Sequence, residues 1–186
     1  SLQGASARPV FSSDNNFFEI LSIPVSFQVN LSELAAVYRT LQAEVHPDRF
    51  ARGSEQERLR AIQATSLLNE AYDTLRVPTR RAAYLLSLAG IDVTQVNQAD
   101  LSPQLLMEQI ELREQLEELP RDESALAELE SLRTGIETRQ LQSQERFGRA
   151  LETRHLDQAR QSYYEMQYFA KLATEIDSLE EDLLGY

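Results

Sequence analysis

The chain has 186 residues, 42% of them hydrophobic and 26% charged, and a formal net charge of −12. That length suits one ordinary domain or two small ones, and that apolar content supports a packed core and argues against global disorder. Cysteine is absent, which removes disulfides, thiolate metal sites and cysteine nucleophiles together; no apolar run approaches the roughly 20 residues of a membrane-crossing helix, and polyanionic character argues against nucleic acid or anionic lipid as the main ligand.

Residues 1–13 are small, polar and without period, and are predicted to form a disordered tail or to be a remnant of expression. Order is expected from near Asp14, where Phe17, Phe18, Ile20 and Leu21 form an apolar cluster ahead of Pro24. Asn30, with Glu33 three residues on, opens a helix in the manner of a capping box. Leu34, Val37, Tyr38, Leu41 and Val45 recur at three- and four-residue steps and mark its buried stripe. Proline disfavours helical geometry in the residue before it, so His46 closes this helix. A polar loop over residues 48–54 leads to a second long helix, whose predicted stripe is Leu59, Ile62, Leu68, Tyr72 and Leu75. Two such helices on a short loop pack antiparallel. Pro78 interrupts the chain, residues 79–88 read as a further helix, and Gly90 stands in the usual stop position.

Residues 91–101 contain Ile91, Val93, Val96 and Leu101 and are predicted to be a packed connector. Ser102-Pro103 supplies a cap and a proline at the first helical position, and the helix it opens runs over 103–119. Another helix begins near Asp122 and carries Leu126, Leu129, Leu132, Ile136 and Leu141. The last, over 157–184, carries Tyr164, Tyr168, Leu172, Ile176, Leu179 and Leu183 on one side. No segment here reads as a strand, and the simplest assembly over 102–186 is an antiparallel three-helix bundle. Residues 1–90 balance nine acidic against nine basic side chains, so the whole net charge lies in 91–186, where solubility accounts for most of the carboxylates.

Two features point to binding. His46-Pro47-Asp48 sits between two long helices, where a proline fixes the backbone and presents an imidazole and a carboxylate outward. Side chains already ordered lose less entropy on binding, although the same residues would also serve as a plain helix terminator. On the helix over 103–119, positions 107, 110, 111, 114 and 118 share one side, while Leu105, Leu112, Leu116 and Leu119 occupy the sector expected to face the core. Met107 and Ile110 rimmed by carboxylates suit a partner interface; the alternative is that they widen the core. His155 has Glu152 and Asp157 nearby but no second histidine or cysteine at metal spacing, and reads as a surface residue. No nucleophile, oxyanion hole or metal set accompanies His46 and Asp48, so a hydrolase is disfavoured and neither catalysis nor a cofactor is expected.

The stretch EVHPDRF, the helix before it with Tyr38, and the later Asn69-Glu70-Ala71-Tyr72-Asp73-Thr74-Leu75 resemble a J domain over residues 14–90. The run from Arg80 to Gly90, and then Leu106-Met107-Glu108-Gln109-Ile110-Glu111-Leu112-Arg113-Glu114, resemble the HscB-type iron–sulfur co-chaperones and extend the match through the bundle. This resemblance implies an all-α protein, a J domain followed by a scaffold-binding three-helix bundle. It implies that His46, Pro47 and Asp48, with Arg49 and Arg39, dock on an HscA- or DnaK-type chaperone and stimulate its ATPase. It further implies that Leu106, Met107, Ile110, Glu111, Glu114 and Glu118, with Tyr168 from the last helix, hold an IscU-type scaffold. A bacterial cytoplasmic location goes with this reading, and a monomer is compatible with it; a general J-protein with other clients is the alternative. One departure stands out: the helix before the loop is usually basic in J domains, and here Arg39 is its only cation, with Arg49 and Arg52 lying beyond it. The cysteine-based zinc segment of some eukaryotic members has no counterpart in this sequence.

Overall fold

The computed structural model describes residues 14–95 and 98–185, so the expectation for residues 1–13 and the place of Val96 in the connector lie outside the described residues. Seven α-helices form among the described residues, and no strand: α1 (Phe17–Ile20), α2 (Leu31–Val45), α3 (Glu55–Leu75), α4 (Pro78–Leu88), α5 (Pro103–Glu118), α6 (Leu126–Glu152) and α7 (Leu156–Leu184). Compactness divides the chain inside α4, between Arg81 and Ala82, whereas the sequence placed the end of the first domain at Gly90, two residues past the end of α4.

Short polar side chains start the helices. Asn16, Asn30, Ser54 and Ser102 each accept the N–H three residues on, at 2.8, 3.1, 3.1 and 3.1 Å. Each bond satisfies one of the donors that a helix start leaves without a partner. Gly90 ends α4 at φ +86°, and the Ile91 N–H returns to the Leu86 carbonyl at 2.9 Å. That left-handed closing turn is the Schellman geometry, which favours glycine.

In the first unit α1 and α2 pack on α3. Phe18, Ile20, Leu21, Leu34, Leu68 and Leu75 are buried there. The Tyr38 and Tyr72 rings stack 4.1 Å apart and 8° from parallel, and the Tyr38 hydroxyl donates to Asn69 Oδ1 at 2.6 Å. These contacts fix the slide of α2 along α3. Leu59 and Ile62, predicted to be core, are instead each 55% exposed. The buried positions Ala61, Leu68, Ala71 and Leu75 step by seven, three and four residues. Leu59 precedes Leu68 by nine residues, two and a half turns at about 3.6 residues per turn, and so faces the opposite way. Arg81 is buried, with Nε on the Phe27 carbonyl at 2.8 Å, Nη1 on the Leu75 carbonyl at 2.6 Å, and its guanidinium 4.9 Å from the Phe27 ring centroid. Burial lowers its pKa from the ordinary arginine value.

The second unit holds the bundle. Leu116 and Leu119 of α5 join Leu129 and Ile136 of α6 and Phe169, Leu172 and Ile176 of α7 in one buried cluster. Helix α6 runs antiparallel to both neighbours: Arg139 bonds Glu108 on α5 at 2.7 and 3.0 Å, and Arg133 pairs with Asp177 and Glu180 on α7. Leu141, predicted to be core, is 67% exposed. Five residues beyond Ile136, it has turned well past the inner face of α6.

Candidate docking surfaces

The first candidate surface is the loop after α2. His46 ends that helix at φ −55°, ψ 129°, the extended geometry that a following proline demands, and residues Pro47–Phe50 form a single 3₁₀ turn. His46 Nδ1 accepts the Asp48 N–H at 3.2 Å, so this nitrogen is the bare one and the ring proton sits on Nε2. The Asp48 carboxylate lies 3.6 Å from that nitrogen and is 93% exposed. The turn thus offers solvent an N–H donor and a carboxylate acceptor. Thr65 on α3 donates its hydroxyl proton to the Ala61 carbonyl at 2.8 Å, and the Val45 carbonyl at the end of α2 lies 3.4 Å from the same oxygen. Arg49 is exposed, with Nη1 3.5 Å from the Ala43 carbonyl, and Arg39 is exposed on α2. Beside the turn, Val45, Phe50, Glu57, Arg60, Ala61 and Ala64 line a cleft of about 300 Å³.

The second is one side of α5. Met107 and Ile110 are 62% and 60% exposed, Glu111, Glu114 and Glu118 are exposed, and Leu106 is half-buried. Leu105, Leu116 and Leu119 are buried and Leu112 packs against the core. The helix therefore carries its apolar residues in two sectors, one inside the bundle and one facing water. Tyr168 is half-buried on α7, with its hydroxyl donating to the Gln109 carbonyl at 3.4 Å, which puts it beside the α5 stripe. Burial raises its phenol pKa above the ordinary value. Ile110, Glu114 and Tyr168, with Gln109 and Arg113, line a cleft of about 290 Å³.

Sequence reasoning missed Arg113 and Glu175, which form a two-pronged ion pair across α5 and α7 at 2.6 and 3.2 Å. Spacing rules read one helix at a time, and no signal within either helix announces a bond between them. The pair holds Glu175 below the usual carboxylate pKa and raises that of Arg113. No group of three or more histidine, cysteine, aspartate or glutamate side chains suited to a metal ion occurs among the described residues.

Residues 16–84 match the family model of the DnaJ domain, and residues 101–177 match that of the HSCB C-terminal oligomerisation domain. A co-chaperone protein HscB homolog of Vibrio cholerae serotype O1 is 38% identical over 174 residues, 91% of this chain and 99% of that one. A homolog of Vibrio vulnificus is 39% identical over 173 residues, with the same two coverages. Among solved structures, chaperone HscB from Vibrio cholerae superposes with a TM-score of 0.81 at 37% identity, covering 91% of this chain and 99% of its own. The human co-chaperone protein HscB gives 0.83 at 29% identity, covering 91% and 84%. Both domains are matched in the order the sequence implied, and the relatives are matched over nearly their whole length: the chain belongs to the HscB family of J-domain co-chaperones.

Proposed function

We propose that this co-chaperone, whose family membership carries a role in iron–sulfur cluster assembly, performs that role by holding an IscU-type scaffold on its bundle and presenting it to an HscA- or DnaK-type chaperone. The observation that supports this reading best is the outward-facing Met107–Ile110 stripe. Two large apolar side chains kept in water on a helix that already has a leucine core face are surplus to folding and suit a partner. Glu111, Glu114 and Glu118 beside them supply a charged rim that speeds encounter. At the other surface, the His46 N–H and the Asp48 carboxylate bind the chaperone and trigger its ATP hydrolysis, with Arg49 and Arg39 adding charge. The division at residues 14–90, 91–101 and 102–186 is thus one of labour: chaperone contact, connector, scaffold contact. No helix among the described residues is long and apolar enough to cross a membrane, and the bacterial relatives favour a bacterial cytoplasmic setting.

The match of the bundle to the HscB C-terminal model favours this reading over a general J-protein with other clients. Calorimetric titration with an IscU-type scaffold tests it. Saturable binding that His46→Gln leaves intact is expected, and absence of binding by the wild-type protein overturns it.

A further inference from the structure

The groove between α5 and α7 does not stop at Ile110 and Tyr168. A second cleft, of about 360 Å³, follows along the same two helices, with Arg113, Glu117, Arg121, Glu175, Ser178 and Asp182 at its edge. Arg113 borders both clefts, and its bond to Glu175 crosses the groove between them. Both partners of that bond are partly exposed, at 46% and 36%, and exposed ion pairs resist opening only weakly. Arg113 has a fallback: Glu117 lies one turn further on the same helix, at the spacing where opposite charges attract. Swinging to Glu117 would leave Glu175 with only Lys171, one turn back on its own helix, as a nearby cation, on the side of α7 that also carries Asp182 seven residues on. Glu114, Glu117, Glu175 and Asp182 line the two clefts against Arg113 and Arg121, so carboxylates outnumber cations along the groove.

We propose that the Arg113–Glu175 bond is a movable strap across one continuous docking channel, and that the channel takes a basic segment of the scaffold. An apolar side chain of that segment seats against Ile110 and Tyr168, and a lysine or arginine displaces Arg113 and lodges between Glu175 and Asp182. The inference rests on the scaffold reading above and extends it to a specificity the stripe alone does not have, namely a cation at a fixed distance from an apolar anchor.

A strap that only braces the bundle predicts that removing either partner acts alike. A strap that competes with the scaffold predicts opposite signs. Scaffold dissociation constants are measured for the full chain and for Arg113→Gln, Glu175→Gln, Asp182→Asn and the Met107→Ala/Ile110→Ala pair, with a denaturant midpoint for each. Arg113→Gln should tighten binding by about threefold, because the competing guanidinium is gone, and should steepen its salt dependence. Glu175→Gln and Asp182→Asn should each weaken it by about five- to tenfold. If Arg113→Gln and Glu175→Gln shift binding in the same direction or not at all while the Met107/Ile110 pair still abolishes it, the strap is overturned and the scaffold reading stands. If the wild-type chain does not bind scaffold, both fall.

Discussion

Replacing Met107 and Ile110 together by alanine separates interface from core on α5. At 62% and 60% exposure, each side chain keeps only roughly two-fifths of its surface buried in the free protein, so each owes about 0.6–1.2 kcal/mol of the roughly 1.5–3 that full burial confers. Alanine retains part of that contact, and its better helix propensity returns about 0.4 kcal/mol at the isoleucine position. The double variant should therefore lose about 1 kcal/mol of stability or less. Leu105→Ala and Leu116→Ala, at 2% and 7% exposure, should each lose about 2–5 kcal/mol, because deleting a fully enclosed side chain also leaves a cavity. Binding should rank the other way. If the two exposed residues anchor the scaffold, their joint loss weakens binding by about 2–4 kcal/mol, about 30- to 1,000-fold in Kd. The assays are a urea midpoint and a scaffold titration on each variant. A Met107/Ile110 variant that unfolds as easily as the leucine variants, while its folded fraction binds normally, refutes the reasoning and returns both residues to the core.

Three further outcomes are expected. Asp48→Asn should abolish stimulation of the chaperone while leaving helical circular dichroism and scaffold affinity unchanged, since an exposed loop position shifts stability by no more than about 0.5 kcal/mol; undiminished stimulation would remove Asp48 from the docking surface. Arg81→Met should lower the urea midpoint of the first unit by the equivalent of about 2–4 kcal/mol, because the Phe27 and Leu75 carbonyls lose their buried donors; an unchanged midpoint would show that the guanidinium contributes nothing net. Burial raises the phenol pKa values of Tyr163, Tyr164 and Tyr168. A group raised in the folded state stabilises it fully below its unfolded pKa and loses that contribution as pH climbs through the folded one, so stability should fall from about pH 10 upward. Phenolate absorbance should show part of the seven tyrosines ionising late, and uniform ordinary titration would contradict the burial argument.

What the sequence made legible was local. Asn30 with Glu33, Ser102 with Pro103, and Gly90 each mark a boundary through bonds made within five residues, and all three mark helix ends in the structure. The α5 stripe was legible too, because its two apolar sectors sit at fixed angles on one helix. The errors came where phase drifts along a helix: Leu59, Ile62 and Leu141 each lie three to five residues from a neighbouring apolar position, yet only the turns facing α2 or α7 decide which leucine is covered. Phe147, Phe169 and Met166, all fully buried, were passed over, although Phe169 stands three residues before Leu172 and seven before Ile176, on the predicted face of α7. The bonds from Arg113 to Glu175 and from Arg139 to Glu108 join residues 62 and 31 positions apart, a distance at which spacing carries no information.

The central claim is that one chain couples scaffold capture to chaperone activation, and ATP hydrolysis by an HscA-type chaperone reads that coupling directly. Steady-state rates are measured with this protein, with an IscU-type scaffold, with both, and with both when the protein carries His46→Gln. The account predicts modest stimulation by either alone, stimulation by the two together greater than the product of their separate effects, and loss of that excess with His46→Gln although the variant still binds scaffold. A combined rate no greater than the separate effects would give, or full synergy with His46→Gln, would contradict it.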